Sequence, residues 1–507
     1  MPKKDDATQP PGPHGGLPYL GHAFQAGRDP LGFFGAASKK HGDIVHFNFG
    51  AYVYVMINSA SAIKHVLVDN HRNYVKGLGY RGLKFVLGEG LITSEGDVWR
   101  RQRKLAQPAF HRDRLTDFAR WMTDATSDML ARWDARAALS SAKANGAHEA
   151  TARDVPTVDV HGEMMRVTLD IVGRTLLSQS LDERAEGIED AMAVTVRCAA
   201  DYVASPLSLP LWFPSPGNIR FRRAKRTLDA LALDIIAERR KKPVPKSDLL
   251  SMLMDARDEE TREAMTDRQL KDELLTIVTA GHETTANAMT WTLYLLSKHP
   301  DVARRVESEV ASVLGTRTPA LEDLARMPYG LAVIQESMRL YPPVWGFERR
   351  ALEDDEIGGY RIAKGTQVAI FPYVLHRHPA HWQNPEGFDP ERFLSGPERP
   401  RYAYLPFGGG PRICIGNAFA MMEAQILLSM IASRYRFELP AGARVELEPV
   451  VTLRPRHGMP MILTPKRSSA EGGALEDLLL DRGEGGRRPY GVERGGAKPP
   501  VALGQRH

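Results

Sequence analysis

Phe407-Gly408-Gly409-Gly410-Pro411-Arg412-Ile413-Cys414-Ile415-Gly416 is the stretch on which the reading of this chain turns. It holds one of only two cysteines. The run of glycines allows tight turns that a residue with a Cβ resists, and Pro411 stiffens the loop. Beyond Gly416, Ala418, Phe419, Met422, Ile426 and Met430 recur at helical spacing. Cys414 therefore stands on a glycine-rich loop just ahead of a helix N-terminus. The helix dipole and the free backbone N–H groups there favour a thiolate. A thiolate so placed is a metal ligand or a nucleophile.

The pattern Phe-x-x-Gly-x-Arg-x-Cys-x-Gly resembles the haem-binding loop of the cytochrome P450 family, and every fixed position matches. The resemblance implies that Cys414 is the axial ligand of haem b, a thiolate that pushes electron density toward the iron and favours O–O cleavage. It also implies that Arg412 faces a haem propionate and that Phe407 and Gly416 belong to the cofactor loop.

Upstream, Leu270, Leu274, Ile277, Val278, Gly281, Thr285, Ala288, Trp291 and Leu295 recur at three-to-four spacing. They predict the longest helix of the chain, over 270–298. Within it lies Ala280-Gly281-His282-Glu283-Thr284-Thr285. A mid-helix glycine costs about 1 kcal/mol, and a glutamate on a largely buried helix is costly unless paired or solvated. Breaches of helix logic that fall together are expected at functional sites; a plain kink with a solvated Glu283 also fits them. The six residues resemble the family's oxygen-activation motif at every position. By that resemblance Gly281 lets the haem face approach, Thr284 hydrogen-bonds the iron-bound oxygen and Glu283 relays protons.

Three further segments match the family in its order. Trp99 and Arg103 are four apart, on one helix face. Alone they read as a basic helix with an anchoring Trp. The resemblance makes them propionate contacts, with Arg100, Arg101 and Lys104 on the outer surface. Glu336 and Arg339 form an i,i+3 pair that means little alone. With Arg392 downstream they match the family's structural charge network beneath the haem. Val344, Trp345 and Phe347 are expected to wall the substrate pocket together with Leu453. Arg349 is expected to face a propionate, with Arg350 as its competitor.

The rest of the chain sets bounds. Its 507 residues are 43% hydrophobic and 25% charged, ordinary for a soluble protein. The net charge of +5 is spread in short clusters among many acids, so no nucleic-acid partner is expected. Cys198 and Cys414 cannot make a disulfide framework, which fits a reducing, cytoplasmic setting. Cys198 sits in an apolar segment and reads as an inert core residue. The opening Met-Pro-Lys-Lys-Asp-Asp has no apolar region behind it, so no signal peptide is expected. No run of about 18 apolar residues occurs, so no transmembrane anchor is expected.

In order, residues 1–18 are expected to be an extended, flexible, proline-rich N-terminus. Ile44–Ile57 reads as a β-hairpin. Residues 71–95 read as a long, glycine-punctuated loop with short helical pieces, and 137–155 as a surface connection. Pro206, Pro210, Pro214 and Pro216 suggest a mobile loop over a pocket, followed by an amphipathic helix over Leu228–Arg239. Gly359–Ile362 and Gln367–Phe371 are expected to pair in a small sheet, and 448–463 to give two short strands. Past Pro465 glycine, arginine, glutamate and proline dominate, so 466–507 is expected to be a disordered tail, with a transient helical turn at Leu475–Leu480.

The expected fold is therefore mainly α with a small β lobe, the cytochrome P450 fold, as one catalytic domain over 19–465. The resemblance implies a haem-thiolate monooxygenase (EC 1.14 class) that hydroxylates or epoxidises a lipophilic molecule such as a fatty acid, terpenoid or carotenoid. O2 is the co-substrate. No flavin or iron–sulfur signal is present, so electrons from NAD(P)H come through a separate ferredoxin or flavodoxin and its reductase. A haem-thiolate peroxygenase typically carries Arg-Pro in place of the Glu283–Thr284 pair, and an isomerase usually lacks the alcohol. A non-catalytic haem-binding protein needs no proton relay.

Overall fold

Local sequence sets where the helices start. Asp29 accepts from the Gly32 N–H ahead of a helix that opens on proline, and Ser215 does the same for Asn218 ahead of Pro216. Thr266 and Gln269 form a capping box that opens the helix carrying the Ala280–Thr285 motif. The computed structural model describes residues 9–17, 19–110, 112–146, 157–204, 209–242, 248–257 and 262–466. Residues 1–465 form one unit, and 466–507 a second.

The helices run in chain order as follows. The N-terminal part holds α1 (Ala23–Arg28), α2 (Pro30–His41), α3 (Ala60–Lys64), α4 (Gly79–Leu87) and α5 (Gly96–Ala106). A central block follows: α6 (Arg112–Gly146), α7 (Val160–Leu177), α8 (Ala185–Ala204), α9 (Pro216–Lys241), α10 (Leu249–Asp255) and α11 (Asp267–Lys298). Then come α12 (Pro300–Leu314), α13 (Leu321–Leu324), α14 (Pro328–Leu340), α15 (Pro372–Leu375) and α16 (Asn417–Arg434). The main hydrophobic core joins α6, α7, α9, α11, α14 and α16, and a smaller one lies under the strands. At its centre Trp291 of α11 is fully buried, stacks on Tyr341 at 4.5 Å and donates its indole N–H to the Leu453 carbonyl.

Among the described residues, twelve strands make four sheets. The largest has five strands: β1 (Ile44–Phe49), β2 (Tyr52–Ile57), β8 (Gln367–Ile370), β5 (Phe347–Ala351) and β3 (Tyr74–Lys76), in that order. Its β2–β8 pair is parallel, and its other pairs are antiparallel. The strands β6 (Asp355–Ile357) and β7 (Tyr360–Ile362) pair with each other, as do β10 (Leu447–Pro449) and β11 (Leu453–Pro455). A three-stranded sheet has the order β4 (Thr157–Asp159), β12 (Pro460–Pro465), β9 (Tyr435–Glu438).

The hairpin is where the alternation places it. Several other expectations need correction. The strands at 360–362 and 367–370 are not partners: β7 turns back on β6, while β8 inserts between β2 and β5. The 71–95 segment is more ordered than its glycines suggest, because β3 pairs with β5 and α4 follows. Residues 137–146 continue α6, which at 35 residues is longer than α11 at 32. Alanine is a strong helix former, and here its propensity outweighs the polar composition of the segment. The 447–465 region holds three strands in two sheets. The N-terminal stretch from residue 9 is tied down, with the His46 N–H donating to the Pro11 carbonyl at 2.8 Å. The expectations for 1–8, for 147–156, for Pro206 and for 467–507 fall outside the described residues. Among the described residues no helix is long and apolar enough to cross a membrane.

Candidate active site

A cavity of about 1330 Å³ opens between α11, the Phe407–Gly416 loop and the large sheet. The loop is held by its own backbone. Gly410 has φ +68°, and a Cβ there would come within 1.9 Å of the Leu67 carbonyl oxygen, so only glycine fits. The Cys414 N–H donates to the Phe407 carbonyl at 2.9 Å, which closes the loop before α16 begins. Cys414 is open to the cavity and enclosed by protein on its other sides. Burial pushes its thiol up, against the pull of the Gly416 N–H and of Arg103. Desolvation thus outweighs the helix end that the sequence suggested would favour a thiolate. A bound metal ion reverses that balance, because a coordinating thiol is deprotonated outright.

Lys76, Arg103, Arg349 and Arg412 are among the cations that line the cavity. Arg103 donates to the Ile413 carbonyl at 2.8 Å, so α5 is tied to the cysteine loop. Arg412 donates to the Ser94 carbonyl at 3.0 Å, pairs with Glu95 and lies 4.1 Å from the Trp99 ring centre. Arg349 is buried on β5 and Arg350, one residue on, is exposed, so alternation decides between them. Lys76 and Glu95 had no sequence signal beyond their place in the glycine-punctuated segment. Glu95 accepts from the Lys76 backbone N–H at 2.7 Å as well as from Arg412. Burial, with Arg412 and Arg349 nearby, pushes the Lys76 ammonium down to about 6, against the opposing pull of Glu95 and Glu273.

Across the cavity, α11 presents Ile277, Thr279, Ala280, Gly281, Glu283 and Thr284. The Thr284 hydroxyl donates to the Ala280 carbonyl at 2.8 Å. Glu283 is buried and accepts from the Thr452 hydroxyl at 2.6 Å. A Cβ on Gly281 would meet Val172 of α7 at 2.9 Å, so this glycine also permits the close approach of α7 to α11. Val344, Trp345 and Phe347 line the cavity. Leu453 does not: it is fully buried, and Val450, Val451 and Thr452 take the wall position expected of it. Cys198 is half-buried on α8 and packs against the helical core; its neighbours Arg197 and Ala199 line the cavity but it does not, and burial pushes its thiol up.

Glu336, Arg339 and Arg392 come together outside the cavity. Arg339 grips both Glu336 oxygens at 2.7 and 2.8 Å, and Arg392 donates to one of them at 3.0 Å. Arg339 also donates to the carbonyls of His376, Pro385 and Gly387. A buried charge trio with this many hydrogen bonds orders the chain from α15 to the turn at Pro390–Phe393. His376 is kept neutral, pushed down to about 3 by burial and by Arg339. Its Nε2 accepts from the Leu405 N–H at 2.8 Å, just ahead of the cysteine loop.

The donor set fits a haem. Among the described residues no group of three or more His, Cys, Asp or Glu stands together to hold a metal ion. A metal at Cys414 must therefore bring most of its ligands with it. Lys76, Arg349 and Arg412 lie close enough to act on one another at the cavity edge, which suits a group that carries more than one carboxylate.

The family model described as Cytochrome P450 matches residues 10–459. The chain is 36% identical to cyclooctatin synthase of Streptomyces melanosporofaciens, over 87% of this chain and 92% of that one. It is 34% identical to cyclooctat-9-en-7-ol 5-monooxygenase of the same organism, over 84% and 89%. It is 32% identical to pentalenene oxygenase of Streptomyces avermitilis, over 87% and 92%.

Proposed function

This chain belongs to the cytochrome P450 family and is a monooxygenase of it, and on that premise we propose that it hydroxylates or epoxidises a terpenoid or a lipophile of similar size. The observation that carries this reading is the single cavity that Cys414, the Glu283–Thr284 pair and a largely apolar wall share. Two relatives are named for oxygenation of pentalenene and of cyclooctat-9-en-7-ol, which favours a terpenoid over a fatty acid.

Haem b, when bound, supplies the dioxygen activation and O–O cleavage. This chain's residues do the rest. Cys414 supplies the thiolate. Trp99, Arg103, Arg349 and Arg412 hold the carboxylates at the cavity edge, with Phe407, Gly281 and Gly416 shaping the space. Val344, Trp345 and Phe347 orient the substrate and exclude water. Thr284 and Glu283 hold the proton supply at the α11 face. Electrons pass from NAD(P)H through a ferredoxin or flavodoxin in the cytoplasm.

Spectral titration of the haem-loaded protein tests this. Polycyclic and linear terpenoids, carotenoids, steroids and fatty acids would be added in turn while the main haem absorption band is followed. A terpenoid should shift the band at the lowest concentration. Saturating shifts from fatty acids alone would overturn the substrate class.

A further inference from the structure

Glu283 is buried on α11, where a carboxylate is stable only if it is hydrogen-bonded. The Thr452 hydroxyl donates to its Oε1 at 2.6 Å. The Asn287 amide nitrogen donates to that same hydroxyl oxygen at 3.2 Å. His161 Nε2 lies 3.1 Å from the Asn287 amide oxygen. We propose that Thr452, Asn287 and His161 are positioning residues that fix the Glu283 carboxylate for proton delivery at the cavity.

The polarity of this chain follows from its end. Thr452 has one hydroxyl hydrogen, and the acceptor-only carboxylate claims it. Asn287 must then turn its NH2 toward Thr452 and its oxygen toward His161. That oxygen needs a donor, so His161 carries its hydrogen on Nε2. Burial pushes the His161 ring below its ordinary range, against the opposing pull of Asp159, which keeps it neutral and leaves this tautomer in place. Asp159, Arg454 and Glu283 are the charged groups that act on the ring. Every donor thus points toward Glu283, an arrangement in which each hydrogen bond polarises the next.

The three residues come from three places. His161 is in the first turn of α7, and Asn287 is one turn beyond Glu283 on α11. Thr452 is in the link between β10 and β11, whose residues Val450–Thr452 also line the cavity. The wall that touches substrate and the carboxylate that handles protons are therefore joined by one hydroxyl. An amide side chain does not pass protons as a hydroxyl does, so Asn287 and His161 act by orientation.

This inference rests on the reading that Glu283 delivers protons, and the test separates the two. Haem-loaded variants would be reduced by a surrogate ferredoxin and its reductase, and product and peroxide counted per electron pair. In parallel, the infrared carboxylate band of Glu283, assigned by its loss in Glu283→Gln, would be followed in the resting protein without turnover. Thr452→Val should move that band and lower product per electron pair about tenfold. Thr452→Ser should restore both, and His161→Phe should give a smaller change in the same direction. Should Thr452→Val lose the haem, Asn287→Ala, which keeps the hydroxyl, decides by the same two readouts. An unmoved band with normal coupling in these variants, while Glu283→Gln uncouples, overturns the positioning chain alone. Normal coupling in Glu283→Gln itself overturns the proton-delivery reading and the chain with it.

Discussion

The guanidinium carbon of Arg412 lies 4.1 Å from the centre of the Trp99 indole ring. Two residues expected to face a haem propionate are also packed against each other. Trp99 therefore also supports Arg412: it packs on the guanidinium, while Glu95 and the Ser94 carbonyl fix its edge. A partly desolvated contact of this kind is worth about 1–2 kcal/mol. Trp99→Ala should weaken haem retention about tenfold, measured by transfer of haem to apomyoglobin, and Trp99→Phe should lose less. Equal transfer rates for wild type and Trp99→Ala would remove the stack from the binding of the group.

Ligation separates the two cysteines. Cys414→Ala should abolish the red-shifted band of the reduced, CO-bound protein, and Cys198→Ala should leave it intact. The reverse pattern would overturn the assignment of Cys414.

Glu336 neutralises two buried guanidinium groups at once. Glu336→Ala should destabilise the fold by about 3–5 kcal/mol, because removing one partner leaves uncompensated buried charge. Glu336→Gln keeps an acceptor oxygen and should lose less. Denaturant midpoints would check this. A change within about 0.5 kcal/mol, ordinary for a surface position, would deny the trio its structural role.

Lys76 gives a prediction with opposite signs in two states. Its folded ammonium is pushed down from the ordinary lysine range to about 6, chiefly by burial. As pH falls from the unfolded value, the unfolded chain takes up the proton first, so stability is lost progressively until the folded form protonates near 6. Below that the loss is constant. Lys76→Met should therefore raise the thermal midpoint of the haem-free protein, with a gain that grows from pH 10 to pH 6. If the haem carboxylates bind among Lys76, Arg349 and Arg412, the same change should weaken haem retention in the loaded protein. A lower midpoint for the haem-free variant at pH 7 would show that Lys76 is paired within the chain.

The electron donor is expected to meet the basic end of α5. Arg100 is exposed and pairs with Asp97, and Lys104 is exposed. Arg101 is only half-exposed and reaches the Glu263 carbonyl, so it is a poorer probe than its charge suggested. Reversing Arg100 and Lys104 to Glu should slow reduction by an acidic ferredoxin, most at low ionic strength, and leave dithionite reduction unchanged. Stopped-flow rates that match wild type across a salt series would place the docking face elsewhere.

What the sequence determined by itself was what lies within one or two helical turns. The loop around Cys414, the Ala280–Thr285 motif and the Glu336–Arg339 pair are each set by short-range spacing, and each stands on the element that its period predicts. Composition and order of motifs were enough for a mainly helical chain with a β lobe. Tertiary structure alone decided which neighbour of a pair faces the site. Thr452 rather than Leu453 lines the cavity, and Arg349 rather than Arg350 is buried, because in extended chain a shift of one residue turns a side chain to the opposite face. Tertiary structure also decided the partners of β8, the burial of Lys76 among arginines, and the meeting of His161, Asn287, Thr452 and Glu283. Apart from the pairing of β8 with β5, those contacts join residues more than a hundred positions apart. The chain from His161 to Glu283 comes from how α7 packs on α11 and how the β10–β11 link meets α11, which no local period encodes.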